Sequence, residues 1–290
     1  MCAVAVNMTY EPFSKEPEYV EANRAFIATL PLGGVRTLLD LACGTGVMTD
    51  LLVEACPHLR RILGLDLSLE SMLIAARHFR EQGTLARRGI RLQLLQGTAD
   101  ILPVADGCMD AVIMGNSIHM LPDERHLLRE VARVLRPGGL FAFNSSFWAG
   151  TMPPGTEKVH HEWVKQAAVY LMNRDRELRR RGKPGIRRKR GTAKTAFSRP
   201  WLSIGDWQDR LDEAGFAVQA INRRTVLMDR RCFETIGAYA GLASVLFSGY
   251  PVQLASEALQ ETAGSALAAM GVSEVPRLWL EITAARKETV

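Results

Sequence analysis

The sequence predicts an α/β protein with a doubly wound, mostly parallel sheet. Three observations carry this expectation. Short apolar runs alternate with segments of helical apolar period from Val35 to Phe143. The first run leads through a glycine-rich turn, Cys43-Gly44-Thr45-Gly46, into a helical segment. The second run ends on an acidic residue, Asp66. Strands that alternate with helices are joined by crossovers, and crossovers make neighbouring strands parallel.

Each element follows from its own residues. Val35 to Leu41, with Val35, Leu38, Leu39 and Leu41 apolar, reads as a buried strand, with a helix from Val47 to about Ala55 beyond the turn. Arg61 to Asp66 is the second strand; Ser68 can then accept a backbone N–H as N-cap of a helix through His78. Leu92 to Gln96 and Ala111 to Met114 are the third and fourth strands. Between Asp123 and Leu135 the apolar residues Leu127, Leu128, Val131, Val134 and Leu135 share one helix face. Pro137-Gly138-Gly139 ends that helix, and Leu140 to Phe143 starts a fifth strand. Phe216 to Leu227 and Arg277 to Thr283 form a terminal strand pair.

Three stretches fall outside the alternation. Residues 1–34 hold a helical segment around Tyr19 to Leu30 and read as an N-terminal lid. Residues 148–200 open as a helix and end in a basic, Gly/Pro-broken tract. Residues 232–273 read as two apolar helices split at Ser248-Gly249-Tyr250-Pro251. The expected organisation is therefore a lid (1–34), a nucleotide-binding core (35–147), a helical and basic insert (148–200), more core (201–231), a helical cap insert (232–273) and a terminal core strand (274–290).

Composition excludes several classes. The chain has 290 residues, is 47% hydrophobic and 23% charged, and carries a formal charge of +5. That is the profile of a globular protein, not of a disordered or collagen-like one. Five scattered cysteines without a CxxC pair speak against a disulfide scaffold and against a metal site, and point to a reducing, cytoplasmic setting. The uncharged stretch from Thr235 to Ser256 is broken by Gly237, Gly241, Gly249, Pro251 and Gln253, and is too short for a transmembrane span.

A strand, a Gly-rich turn and a helix suit an adenosine-containing ligand at the carboxyl ends of the strands. Glycine permits positive φ and lets a ligand approach the backbone. A dinucleotide fingerprint would place a third glycine where Thr49 stands. Asp66, ending the second strand, can accept both hydroxyls of a ribose, which suits NAD and other adenosine ligands equally.

Further residues separate these readings. Leu38 to Gly46, Leu65-Asp66-Leu67-Ser68, Gly97-Thr98-Ala99-Asp100-Ile101-Leu102-Pro103-Val104 and Leu135 to Gly139 stand in order. Together they resemble the class I S-adenosylmethionine-dependent methyltransferases, in particular the branch of ubiquinone/menaquinone C-methyltransferases and small-molecule methyltransferases. The likeness runs from about Val35 to Phe143 and resumes weakly at Trp207 to Phe216. It implies a seven-stranded Rossmann-like sheet and S-adenosylmethionine as cofactor. By the same resemblance Asp40, Ala42, Gly44 and Gly46 hold the methionine moiety, Asp66 takes the ribose hydroxyls, and Leu67 packs on the adenine. Thr98, Ala99 and Asp100 form the adenine segment, where Thr98 replaces the family's more usual acidic residue. Asn116 lies at the edge of the methionine pocket. Tyr10 and Tyr19 resemble lid aromatics.

A sulfonium is an activated methyl donor, so the protein chiefly has to position and desolvate. A base is needed only where the acceptor must lose a proton, and His119, just past the fourth strand, is the candidate. His160 and His161 are adjacent on a helix, so at most one faces a pocket. Aromatic residues in the two inserts (Phe147, Trp148, Trp163 and Tyr170; Phe233, Tyr239, Phe247 and Tyr250) point to a bulky apolar or aromatic acceptor, free or carrier-tethered.

The net charge is local. Arg174 to Arg190 contains ten Lys/Arg and two acids, a net +8, which leaves 26 bases and 29 acids elsewhere. Its expected partner is anionic: an acidic carrier protein, a phosphate-bearing ligand or a membrane surface. An RNA methyltransferase using this run is the alternative enzyme. Gly115-Asn116-Ser117-Ile118 after the fourth strand is not the Asn/Asp-Pro-Pro-Tyr of base-amino methyltransferases, which makes nucleic acid the weaker expectation. A non-catalytic S-adenosylmethionine-binding module is the alternative outside enzymes.

Overall fold

A computed structural model of the chain describes residues 7–189 and 200–288. Its elements, in order, are α1 (Glu11–Ser14), α2 (Pro17–Ala28), β1 (Thr37–Leu41), α3 (Val47–Ala55), β2 (Arg61–Asp66), α4 (Leu69–Gln82), α5 (Thr84–Arg88), β3 (Arg91–Gln96), β4 (Met109–Met114), α6 (Glu124–Val134), β5 (Leu135–Ser145), α7 (Glu157–Arg180), α8 (Ile204–Glu213), β6 (Phe216–Asp229), α9 (Arg230–Ala238), α10 (Ala240–Leu246), α11 (Val252–Ala269) and β7 (Glu274–Arg286). The seven strands form one sheet in the order β3-β2-β1-β4-β5-β7-β6. Strands β1 to β5 pair in parallel, and β7 pairs antiparallel to β5.

The described residues divide into two compact units. One, the sheet unit, comprises residues 20–151, 200–224 and 278–288. Side chains alternate across its pleat: Leu39, Leu41, Val112 and Phe141 join a core with α6 and α8, whereas Leu38, Ile62, Ile113 and Ala142 join a second core with α2 and α3. Both faces are buried, which is why apolar residues stand at successive positions in these strands (Leu38-Leu39, Ile62-Leu63, Val112-Ile113) instead of alternating with polar ones. The other unit, residues 7–19, 152–189 and 225–277, is helical. There α7 packs on α11, and Trp163 donates its indole N–H to Leu259 O at 2.8 Å.

Several boundaries differ from expectation, each for a local reason. β1 begins at Thr37 because the Asp110 carboxylate accepts the N–H groups of Arg36 and Thr37, at 2.7 and 2.8 Å, where a strand neighbour would. α4 continues past His78 to Gln82, where Gly83 caps it with a φ of 64°. Pro137-Gly138-Gly139 does end a helix, but it lies inside β5 as a bulge: Met109 pairs with Leu135 and Ala111 already with Leu140. The segment 232–273 forms three helices, starting at Arg230. Tyr239 interrupts them in an extended conformation and forms a bridge with Asn7. α7 runs through half of the basic tract, so Arg174 to Arg180 are helical. Arg190 and Cys2 lie outside the described residues. Among the described residues no helix is long and apolar enough to cross a membrane.

Candidate active site

The strand order reverses direction between β1 and β4, and the crevice at such a switch point is where ligands of open α/β sheets bind. Of the ten residues expected to hold a cofactor, Asp40 and Asp66 lie in the carboxyl ends of β1 and β2, and the other eight follow on the loops that leave β1, β2, β3 and β4. The β1–α3 turn is wound tightly: Ala42, Gly44 and Gly46 have φ values of 60°, 55° and 95°. Left-handed backbone at Ala42 is strained for a residue with a Cβ, and such strain concentrates at functional sites. The two glycines do different work. A Cβ on Gly46 would stand 2.7 Å from the Phe79 ring, so this glycine lets α3 and α4 close together. A Cβ on Gly44 would meet nothing within 4 Å, so its backbone faces open space.

Asp66 is held from both sides. Its Oδ2 accepts the Gly44 N–H and its Oδ1 the Ser68 N–H, both at 2.8 Å. Each carboxylate oxygen has two acceptor sites, so one remains on each, side by side. Leu67 next to it is 69% exposed, and Ile101, on the loop after β3, is 76% exposed. Two large apolar side chains left in water on neighbouring loops call for an apolar face to cover them.

The loop after β3 is fastened to α6 from below. His126 Nε2 donates to Asp100 O at 2.5 Å, and Leu102 N–H donates to Glu130 Oε2 at 2.9 Å. Arg133 donates to the carbonyls of Leu102 and Val104 and to Glu130, and this pairing holds the Glu130 carboxyl down at about 2. Thr98 and Asp100 stand exposed above this fastening, with Ala99 half-buried between them. His126, Glu130 and Arg133 therefore position the segment, a role the sequence analysis did not assign.

Asp40 lies deeper. It is fully buried; Thr49 donates its hydroxyl to Oδ2 at 2.5 Å, and Oδ1 has no partner among the described residues. Burial, offset in part by Thr49 and reinforced by the charge of Asp66, raises the Asp40 carboxyl to about 7. A buried carboxylate with an unmet oxygen is costly, and a cationic group is what relieves it. Ser117 Oγ, beyond the end of neighbouring β4, is a second buried oxygen with no partner among the described residues.

Asn116 has a φ of 44°, which turns the chain sharply at the end of β4. Its N–H donates to Asn144 Oδ1 at 2.7 Å and its Oδ1 accepts the Ser146 N–H at 2.7 Å; Asn144 in turn donates to Asn23 of α2 at 2.9 Å. Its visible work is thus to join the ends of β4 and β5. His119 follows on a short 3-10 turn, half-buried, with Nδ1 3.0 Å from Ser145 Oγ and its ring 4.4 Å from that of Phe147. Ser145 Oγ also lies 3.1 Å from Phe147 O; when its proton goes to that carbonyl it accepts from His119 Nδ1–H, the tautomer in which Nε2 is the basic nitrogen.

The remaining sequence candidates fall in the helical unit. Tyr10 stacks edge-on with Phe13, Tyr19 and Tyr239, with centroids 5.2, 5.8 and 5.3 Å away. His160 is buried against Phe233, and burial, with Arg277 and His161 nearby, pushes it down to about 3; it stays neutral. His161 is exposed, as adjacent helix positions require.

Comparison with known proteins places this geometry. Residues 39–143 match a family model described as a methyltransferase domain. The chain is 38% identical over 103 residues to a demethylmenaquinone methyltransferase of Lactococcus lactis, covering 36% of this chain and 39% of that protein. It is likewise 38% identical over 101 residues to the protein of that name from Bacillus cereus, covering 35% and 40%. The chain thus spans about two fifths of the length of the curated relatives it matches. Among solved structures, the YcgJ protein of Bacillus subtilis superposes with a TM-score of 0.58 at 18% identity, over 93% of this chain and 99% of that one. The cyclase SpnF superposes with a TM-score of 0.55 at 18% identity, over 99% and 89%. Those likenesses establish the Rossmann-like fold; SpnF shows that the fold alone does not choose a reaction.

The donor set fits an adenosine-bearing sulfonium: paired acceptors on Asp66, apolar Leu67 and Ile101, open space over Gly44 and an unmet acidic oxygen on Asp40. By the family match and the ordered motifs within it, residues 39–143 are a class I S-adenosylmethionine-dependent methyltransferase domain, with S-adenosylmethionine as its cofactor.

Proposed function

We propose that this chain transfers a methyl group from S-adenosylmethionine to a small or medium-sized apolar or aromatic acceptor. The observation that carries the donor half is Asp66, locked by two backbone N–H groups with one acceptor site left on each oxygen. The relatives' names make a quinone-type aromatic the first acceptor to test. The match to the family model covers residues 39–143, however, and so leaves out all three segments of the helical unit.

The cofactor brings a methyl already activated on sulfur, so the residues have to bind, orient and exclude water. Asp66 takes the ribose hydroxyls, Leu67 and Ile101 cover the base, and Thr98, Ala99 and Asp100 border it on a loop that Glu130 and Arg133 hold still. Asp40, oriented by Thr49, faces the ammonium end, and Gly44 keeps the space clear. For an acceptor that must lose a proton, His119 Nε2 receives it. Ser145 fixes the tautomer, and the Phe147 ring limits the tilt of the imidazole.

Two tests follow. Gly44→Val is expected to leave a folded protein, destabilised by about 1–2 kcal/mol for left-handed backbone with a side chain, that no longer binds S-adenosylhomocysteine in calorimetry. Gly46→Ala is expected to do the reverse. It should cost about 2–4 kcal/mol by denaturant titration, from backbone strain plus the clash with Phe79, and should bind once folded. Loss of binding in neither variant would remove the turn from the donor site. With a quinol or phenol acceptor and labelled donor, His119→Gln is expected to lower kcat by about 10²–10⁴ with little change in KM. An unchanged kcat would remove the base. Tight S-adenosylhomocysteine binding without transfer to any aromatic acceptor would reduce the protein to a binding module.

A further inference from the structure

α7 has two faces with different fates. Val159, Trp163, Ala167 and Leu171 are buried at four-residue spacing. On the opposite side Lys165, Val169, Met172, Arg176 and Arg180 are all exposed, Val169 by 48% and Met172 by 50%. The Trp163 bond to Leu259, and Tyr170 donating to Glu257 at 2.6 Å, fix which side is outward within this unit.

From Arg181 to Lys189 the chain beyond α7 folds back on its own unit. Ile186 N–H donates to Asp175 Oδ1 at 2.6 Å, Lys189 N–H donates to Gly249 O at 2.8 Å, and the Arg188 guanidinium lies 4.4 Å over the Tyr250 ring. Asp175 and Glu177 are already engaged by Arg174, Arg179 and Arg181. Arg176, Arg180, Lys183, Arg187 and Lys189 make no ion pair with a carboxylate among the described residues, and all five are exposed. Arg176 and Arg180 share the outward face of α7 with exposed Val169 and Met172, and Lys183, Arg187 and Lys189 add exposed charge on the segment that follows.

We propose that this face of α7 and the segment through Lys189 dock on an anionic lipid surface. The cations supply attraction to phosphate headgroups, and Val169 and Met172 supply the apolar contact that a headgroup–acyl boundary accepts. From Lys165 to Arg180 the face extends about 22 Å along one helix, which suits an extended partner surface. Single-stranded RNA fits less well, because it binds on aromatic platforms. The aromatic side chains of this region are engaged: Trp163 is buried, Tyr170 is bonded to Glu257 and Tyr250 lies under Arg188. An acidic carrier protein would explain the charge but not the two exposed apolar side chains.

The test is flotation of the full chain with vesicles of phosphatidylglycerol and phosphatidylcholine, against phosphatidylcholine alone, at about 100 mM salt. Flotation with the anionic vesicles only is expected, weakening as salt rises. The triple variant Arg176→Gln, Arg180→Gln and Arg187→Gln is expected to lose roughly a hundredfold in partitioning, with S-adenosylhomocysteine affinity unchanged as the check on folding. Val169→Asn with Met172→Asn, which leaves every charge in place, is expected to weaken flotation several-fold. Failure to float, equal flotation with neutral vesicles or indifference to the triple variant overturns the proposal. So does a salt-sensitive shift of an RNA homopolymer, or of an acidic carrier protein, without flotation. None of these outcomes touches the methyltransferase reading, which the S-adenosylhomocysteine titration judges separately.

Discussion

Asp66→Ala is expected to weaken S-adenosylhomocysteine binding at least a hundredfold in calorimetry, the largest effect of any single change in the donor site. Two hydroxyls lose charged acceptors, and hydrogen bonds to charged groups are worth about 1.5–3 kcal/mol each. The Gly44 and Ser68 N–H groups lose their partner as well, so the turn over which the ligand lies is no longer held. Asp66→Asn separates the contributions. An amide keeps one acceptor oxygen and offers a donor in place of the other, so it is expected to recover part of the affinity but not all. Binding that survives both substitutions within a factor of a few would place the ribose elsewhere.

Ligand-free protein is expected to lose stability as the pH rises from about 4 to 7, and Asp40→Asn is expected to remove most of that slope. The sign follows from the raised carboxyl. Below pH 4 Asp40 is protonated in both the folded and the unfolded chain. Between pH 4 and about 7 the unfolded chain releases this proton while the folded chain keeps it, so unfolding is increasingly favoured. Above about 7 both forms are ionised and the loss is complete, on the order of 4 kcal/mol. A cationic ligand end beside Asp40 stabilises the ionised form. S-adenosylhomocysteine affinity is therefore expected to rise toward neutral pH in the native protein and to stay flat in Asp40→Asn. Denaturant titration and calorimetry across this range measure both, and parallel profiles in the two proteins would refute the assignment.

What was legible in the sequence was what is local. The β1 turn, the Ser68 cap, Asp66 at a strand end and the apolar face of α6 each lie within a few residues of the feature they create. What escaped notice joins distant residues. Glu130 and Arg133, three residues apart on a helix, read as a surface ion pair until they are seen to hold Leu102 and Val104, some 28 to 31 positions away. The Asn116–Asn144–Asn23 network spans up to 121 positions and has no pattern of its own. Ile101 looks like any apolar residue of a buried turn; only its exposure makes it a candidate for the site. Pro137-Gly138-Gly139 offers the same breaker residues whether the chain stops or bulges, and pairing with β4 decides.

The place of β7 in the sheet bears on synthesis. It follows the other six strands in sequence, yet it lies between β5 and β6. When β5 leaves the ribosome, its outer edge has no neighbour until residues beyond Glu274 arrive. At ordinary elongation rates that interval is roughly ten seconds. Throughout it a strand running Leu140-Phe141-Ala142-Phe143 presents open hydrogen-bonding groups, the arrangement that recruits strands from other chains. A nascent chain of this topology therefore carries an open β5 edge until its last strand is made.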